Sequence, residues 1–333
     1  MKRFVFSLLA LLLSAAGASA QLKFVDAEQL GLVNKLGPTE NRYHRVDTDK
    51  YDLTQAEANL LRMPAGMALV FRTNSSQIAV RTHYLNYSMV RHSTTGVSQT
   101  GYDLYIRKDG GWLYAGSNAP KNEDAELVLV RNMDDSEKEC LLYLPLYDQL
   151  KKLEIGVDEK SVIAPMENPF RHKIVVHGSS ITHGIAAGRA GMAYSSRLGR
   201  DTGLYCINLG FSGQCTMQPE FASYLSHVEA DAFVFDCFSN PSAEVINERF
   251  DAFVDTLRRT HPTTPLIFLQ TIRRETRNFS TRIEKFEREK QAAAEAQVRD
   301  RMKTDKNIYF VDPGDLLGSD HIATADGTHP TDL

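Results

Sequence analysis

The sequence predicts an α/β chain in two parts: an antiparallel β-sandwich of jelly-roll type over residues 21–168, then a flavodoxin-like three-layer unit over residues 169–333 built on a five-stranded parallel sheet. Three observations predict it. Before the break, short apolar runs are divided by turn signals, the pattern of a sandwich or jelly roll. After it, five apolar runs alternate with helix-capable stretches, the pattern of βαβ units on a parallel sheet. With 333 residues, 42% hydrophobic and 24% charged, the chain can also bury a core large enough for two domains.

Residues 1–20 read as a leader. Lys2 and Arg3 precede an apolar run over 4–13, and Ala18-Ser19-Ala20 closes the segment. A charged start, a short apolar core and an A-x-A site make a secretory signal, with cleavage expected after Ala20. Its apolar part is too short for a stable span, and no later stretch approaches the roughly 20 apolar residues that a span needs. No cysteine near the cleavage site offers a lipid anchor. The expected product is exported, periplasmic or secreted, without a membrane span.

Strands are expected over 67–72, 77–84, 102–107, 111–115, 125–131, 140–144 and 150–157, with turns at Asn74-Ser75-Ser76 and Asp109-Gly110-Gly111. The aromatics here, Tyr102, Tyr105, Trp112 and Tyr114, are read as core and cross-strand packing, since aromatics favour strands. The alternative for them is a sugar-stacking platform. Residues 158–171, with Pro165, Asn168 and Pro169, show no period and read as the linker. The strands of the second part are expected over 173–176, 204–209, 232–238, 266–270 and 308–311. Ile246, Phe250, Phe253 and Leu257 fall at helical spacing on one crossover. Residues 284–302 read as a long, charged surface helix whose less polar section is Ala292 to Ala294.

Composition excludes several function classes. A net charge of −4 and the lack of a long Lys/Arg run leave no footprint for nucleic acid. Four cysteines, Cys140, Cys206, Cys215 and Cys237, permit disulfides in an exported protein, but no CxxC or Cys/His spacing points to a metal. Unpaired core cysteines are the favoured reading, because Cys206 and Cys237 fall in expected buried strands. A Cys206–Cys237 or Cys206–Cys215 bridge is the alternative.

The chemistry centres on His177-Gly178-Ser179-Ser180-Ile181-Thr182-His183-Gly184, which follows the first apolar run of the second part. A strand feeding a tight turn and a helix start projects a serine hydroxyl past the sheet edge, beside free helix N–H groups. The spacing is not the Gly-x-Ser-x-Gly of an α/β-hydrolase elbow. Downstream, Gly210-Phe211-Ser212-Gly213 follows the second run, Ser239-Asn240 follows the third, and Asp326-Gly327-Thr328-His329-Pro330 stands near the end. Ser180 needs a base, and His329, with Asp326 three residues before it, can supply one from a single loop.

Taken together the four blocks, Gly-x-Ser-Ile, Asn208-x-Gly-x-x-Gly, a strand ending in Asn240 and Asp-x-x-His, resemble the SGNH or GDSL-type hydrolases, across about half the chain. Ser179 stands where the family's name-motif carries Asp, and leaves Ser180 in register. The resemblance implies a catalytic triad of Ser180, His329 and Asp326 and an oxyanion hole of the Ser180 and Gly213 N–H groups with the Asn240 amide. It implies no cofactor and no metal. Read without it, Gly213 is a turn glycine and Asn240 a helix cap. Loops after the fourth strand face substrate in such enzymes, which makes Gln270 a candidate substrate residue, and His183 is expected to line the pocket or support packing. SGNH esterases with a β-sandwich in front make deacetylation of a carbohydrate the first expectation, the substrate being an acylated small molecule or polysaccharide. A lipase, lysophospholipase or thioesterase is the alternative, and a catalytically inactive carbohydrate-binding protein the non-enzyme one. Family members usually run on past the His-Pro into a final helix, whereas this sequence stops at Leu333. The expectation is a C-terminally truncated chain or a His loop close to a free end and prone to fraying.

Overall fold

The computed structural model describes residues 21–88 and 93–333, so the leader expected over 1–20 lies outside the described residues. The first part contains strands β1 (Leu22–Asp26) and β2 (Gly31–Val33), helix α1 (Gln55–Leu61), β3 (Ala68–Thr73), β4 (Ile78–Asn86), α2 (Gly96–Gln99), β5 (Tyr102–Lys108), β6 (Gly111–Asn118), β7 (Asp124–Val130), β8 (Lys138–Tyr143), β9 (Gln149–Asp158) and β10 (Ile163–Pro165). One antiparallel sheet has the order β1-β9-β4-β7 and the other β10-β3-β8-β5-β6, with β2 on the same edge of β3 as β10. Alternating side chains of both, including Leu69, Phe71, Val80, Leu142 and Ile155, form the core between them. Every run read as a strand in this part is one.

The segment read as a linker is not structureless. β10 pairs antiparallel with β3, Ile163 opposite Thr73, and three residues are too few for periodicity to register. Pro165 is tolerated because β10 is an edge strand, where a missing N–H costs little. Helix α1 is fixed by a capping box in which Thr54 and Glu57 satisfy each other's backbone N–H.

The second part runs β11 (Arg171–Gly178), α3 (Ser180–His183), α4 (Tyr194–Thr202), β12 (Leu204–Gly210), α5 (Pro219–Leu225), β13 (Ala232–Asp236), α6 (Ala243–Arg258), β14 (Leu266–Leu269), α7 (Thr281–Met302) and β15 (Ile308–Val311). All five strands are parallel, in the order β12-β11-β13-β14-β15. This is the flavodoxin-like order 2-1-3-4-5, whose crevice for ligands lies beyond the carboxyl ends of the strands where the order reverses. Helix α6 buries Ile246, Phe250, Phe253 and Leu257 as their spacing predicts. Helix α7 is less of a surface helix than its charge implies, because it buries Glu287 and Lys290 along with Ala294 and Val298.

The two parts share a core. Val33, Val46, Leu60 and Tyr143 of the first belong to one apolar cluster with Val175, Ile207 and Phe211 of the second. All four cysteines are buried and unbridged. Tyr102 and Tyr105 are core residues, while Tyr114 is exposed with the Arg189 guanidinium 4.5 Å from its ring centre. Among the described residues no helix is long and apolar enough to cross a membrane.

Candidate active site

β11 ends at Gly178, and Ser179 caps α3 by accepting from the Ile181 N–H at 3.2 Å, so Ser180 becomes the first helical residue. Its N–H makes no hydrogen bond among the described residues, as expected at a helix start. β12 passes hard against this turn: a Cβ on Gly210 would lie 2.1 Å from the His183 nitrogen, so glycine is required there. Asn208 is buried and structural, donating to Thr182 O at 2.6 Å and Ser195 Oγ at 2.9 Å while accepting from the Gly210 N–H at 2.9 Å.

Three sequence-predicted residues meet here. Ser180 Oγ lies 2.8 Å from His329 Nε2, and His329 Nδ1 lies 2.7 Å from Asp326 Oδ2. A carboxylate can only accept, so Nδ1 carries the proton and Nε2 is the acceptor facing the serine hydroxyl. Asp326 Oδ1 accepts from the N–H groups of Thr328 at 3.0 Å and His329 at 2.9 Å, and Oδ2 also accepts from Ser93 Oγ at 2.6 Å. Burial would raise the Asp326 carboxyl, but the donors Ser93, His329 and Thr328 outweigh it and hold the group well below the usual range. The turn is also tied at its base, by Ala325 N–H to His329 O and Thr331 N–H to Ala323 O, both 2.9 Å, and by Thr276 N–H to Gly327 O at 3.1 Å. These bonds oppose the fraying expected for this segment.

Gly213 adopts φ +73°, a left-handed turn natural to glycine, and its N–H is likewise unspent among the described residues. Asn240 Oδ1 accepts from the Cys215 N–H at 3.3 Å, which aims Nδ2 the other way. The α6 cap is Ser242, not Asn240. Behind Asn240, Arg274 and Lys290 converge on Ser239 O, and Glu287 joins them 2.7 Å from Lys290 and 3.5 Å from Arg274. Burial, and then the Arg274 charge, push the Lys290 ammonium down to about 8, with Glu287 opposing.

Gln270, the candidate substrate residue, lies in the framework instead, and His183 takes the packing role that was one of its two expectations. Gln270 is buried with both amide ends engaged, donating to Gln291 O at 3.0 Å and accepting from the Thr271 N–H at 2.9 Å. His183 is fully buried, donates to Leu146 O at 2.7 Å and stacks on Tyr147 at 4.2 Å. Among the described residues no three His, Cys, Asp or Glu side chains gather as metal ligands would.

Sequence reasoning missed how the first part enters the site. Arg45 is 2% exposed and reaches no carboxylate among the described residues; it donates to Met63 O, Leu60 O, Asn208 O and Gly210 O at 2.6 to 3.1 Å. Tyr147 OH meets Ser212 Oγ at 2.7 Å. Asp103, in Gly101-Tyr102-Asp103-Leu104-Tyr105, holds the loop after α3 through Arg189 Nε at 3.2 Å and the Gly191 N–H at 3.0 Å. That five-residue pattern was the one legible signal.

A family model described as the GDSL-like lipase/acylhydrolase family matches residues 171–333. A second, GxDLY, described as the N-terminus of SGNH-hydrolase-type esterases, matches residues 22–163, which contain Gly101 to Tyr105. No curated protein matches the chain. Among solved structures, a protein of Bacteroides ovatus described as a GDSL-like lipase is 46% identical, with 94% of this chain and 93% of that one aligned and a TM-score of 0.90. A salicylyl-acyltransferase from a tetracycline biosynthetic pathway is 20% identical over 93% and 92% of the two chains, at 0.71. A family two carbohydrate esterase of Cellvibrio japonicus is 12% identical over 94% and 93%, at 0.59. The last two share the fold.

Proposed function

Since the chain belongs to the GDSL-like lipase/acylhydrolase family, we propose that it is an esterase that removes short acyl groups, acetyl first, from a carbohydrate by way of a serine acyl-enzyme. The observation that carries this is the Ser180–His329–Asp326 relay at 2.8 and 2.7 Å. Ser180 Oγ attacks the ester carbonyl as His329 Nε2 takes its proton. Asp326 keeps Nδ1 protonated and steadies the imidazolium. The N–H groups of Ser180 and Gly213 and the Asn240 amide receive the oxyanion, where each such donor is worth about 3 kcal/mol of barrier. His329 returns the proton to the leaving alcohol, and water repeats the sequence to free the acid. None of these steps calls for a cofactor. This relay also speaks against a binding protein with a decayed site.

A short acyl group fits the surroundings. Ser212 and Gln214 beside the turn are polar and part-exposed, and the apolar side chains by the nucleophile turn, Ile272, Leu317 and Ala323, are spent on packing with Ile181. A long chain needs a groove that repays about 0.8 kcal/mol per buried methylene. One observation favours the lipase reading: Phe279, Leu316 and Ile322 are exposed on the segments that flank the triad turn. A series of p-nitrophenyl esters decides between them. Turnover should fall steeply from acetyl to octanoyl and acetate should appear from acetylated oligosaccharide, while faster octanoyl hydrolysis would favour a lipase. Ser180→Ala should abolish all of it without moving the melting temperature, and substantial residual turnover would remove Ser180 as nucleophile. We read residues 1–20 as a cleaved leader, so that the enzyme works outside the cytoplasm.

A further inference from the structure

We propose that Ser93, on the β-sandwich, is a positioning residue for Asp326, so that the relay is complete only when both parts of the chain contribute to it. The proposal rests on the triad reading above. Among the described residues four donors surround the Asp326 carboxylate, and three of them, the N–H groups of Thr328 and His329 and the His329 Nδ1–H, lie on its own turn. Local donors fix the shape of a turn but not where it stands. Ser93 Oγ is the donor from outside, 233 residues away in sequence, and at 2.6 Å it shares Oδ2 with the imidazole.

The hydroxyl is delivered by a fixed segment. Ser93 has φ 65°, a left-handed conformation that a serine adopts only when its surroundings hold it there. Two residues on, Thr95 Oγ1 donates to Gly188 O at 2.8 Å, and the Gly188 N–H donates to Asp332 Oδ1 at 3.1 Å. The stretch is thus tied to the loop after the nucleophile helix, and that loop in turn holds the segment leaving the triad turn. With two N–H groups of its turn on Oδ1 and Ser93 on Oδ2, the carboxylate is held at both oxygens, and the Ser93 bond keeps Oδ2 set towards Nδ1 from a fixed point outside the turn while the imidazole gains and loses its charge. Removing the hydroxyl should mis-set the base without touching the substrate.

The test uses the full chain and five variants beside Ser180→Ala. Ser93→Ala should lower kcat about tenfold, the scale of one hydrogen bond to a charged group, with KM within about twofold of the parent. Ser93→Gly, which suits the left-handed backbone and lacks the hydroxyl, should do the same, so a folding defect in the alanine variant does not decide the matter. Ser93→Thr, which keeps the donor, should restore most of the rate. In an Asp326→Asn background, Ser93→Gly should cost nothing more, because Ser93 acts through that carboxylate. An unchanged kcat in Ser93→Gly, or an undiminished loss in the Asp326→Asn background, overturns the proposal. If Ser180→Ala is dead while Ser93→Gly is fully active, the inference fails and the triad stands; if Ser180→Ala stays active, the triad reading itself fails.

Discussion

Replacing Asp236 by Asn should stabilise the protein, and by more as the pH rises. Asp236 ends β13 beneath the nucleophile turn, 6% exposed, accepting from Thr182 Oγ1 at 2.9 Å and Ser179 Oγ at 3.4 Å. Burial pushes its carboxyl up from 3.8 to about 6, against those hydrogen bonds and the Arg274 charge. The folded state therefore holds this proton more tightly than the unfolded chain. The stabilisation is fully present below about 3.8 and is lost as the pH rises through about 6. Two units at about 1.36 kcal/mol each make ~3 kcal/mol. An asparagine oxygen can accept from the same hydroxyls and never ionises. The advantage of Asp236→Asn over the parent should accordingly grow by ~3 kcal/mol between about pH 3.5 and 7. Urea unfolding of both proteins across that range measures it. The difference between them is the quantity to follow, because His177, which burial pushes down to about 3, gives the parent an opposing slope over much of the same window. A difference that stays flat with pH would show that Asp236 is not a strained buried acid and would remove the premise.

Two other tests follow from the same geometry. Arg45→Met strips donors from the carbonyls of Leu60, Met63, Asn208 and Gly210; Leu60 O keeps the Met63 N–H at 3.2 Å, and at about 1–3 kcal/mol for each buried acceptor left unpaired the other three should make the change cost at least ~3 kcal/mol in urea unfolding, while a loss under ~1 kcal/mol would mean that other donors replace it. Expressed with its own first 20 residues in a bacterium, the protein should leave the cytoplasm with Gln21 as its first residue by mass, and an unprocessed chain kept inside would reject the leader.

The parallel sheet was legible because each of its strands is an apolar run bounded by polar, helix-capable text, and the nucleophile turn because serine, glycine and a helix start come together at the end of one. β10 was not, since three residues carry no period. Helix α7 misled because charge in a sequence reads as exposure, whereas Glu287 and Lys290 neutralise each other inside. Gln270 misled for a related reason: its place after a strand gave a position, but not that the amide turns back onto α7. Ser93 and Arg45 left no trace at all. The partners they reach in the second part lie 233 and 163 to 165 residues away, and a contact at that separation has no spacing for a reader to find.

Those two residues bear on what the β-sandwich is for. A carbohydrate module tethered ahead of a catalytic unit would meet its neighbour through a modest, polar interface. Here one apolar cluster contains residues of both parts, and the site's loops are braced from the sandwich one by one. Leu146, Tyr147 and Asp103 hold α3 and the loop after it, Arg45 and Tyr147 hold the Gly210–Gly213 segment, and Ser93 holds the triad turn. The loop after β13 is braced from the opposite side, by Arg274 and Lys290 on Ser239. A relay that works at 2.7 to 2.8 Å loses rate when its members drift by a fraction of an ångström. Its parts come from two loops of one sheet, the turn after β11 and the turn beyond β15, and short loops cannot hold that tolerance alone. Under the mechanism we propose, the sandwich supplies the missing constraint, whether or not it also meets the substrate.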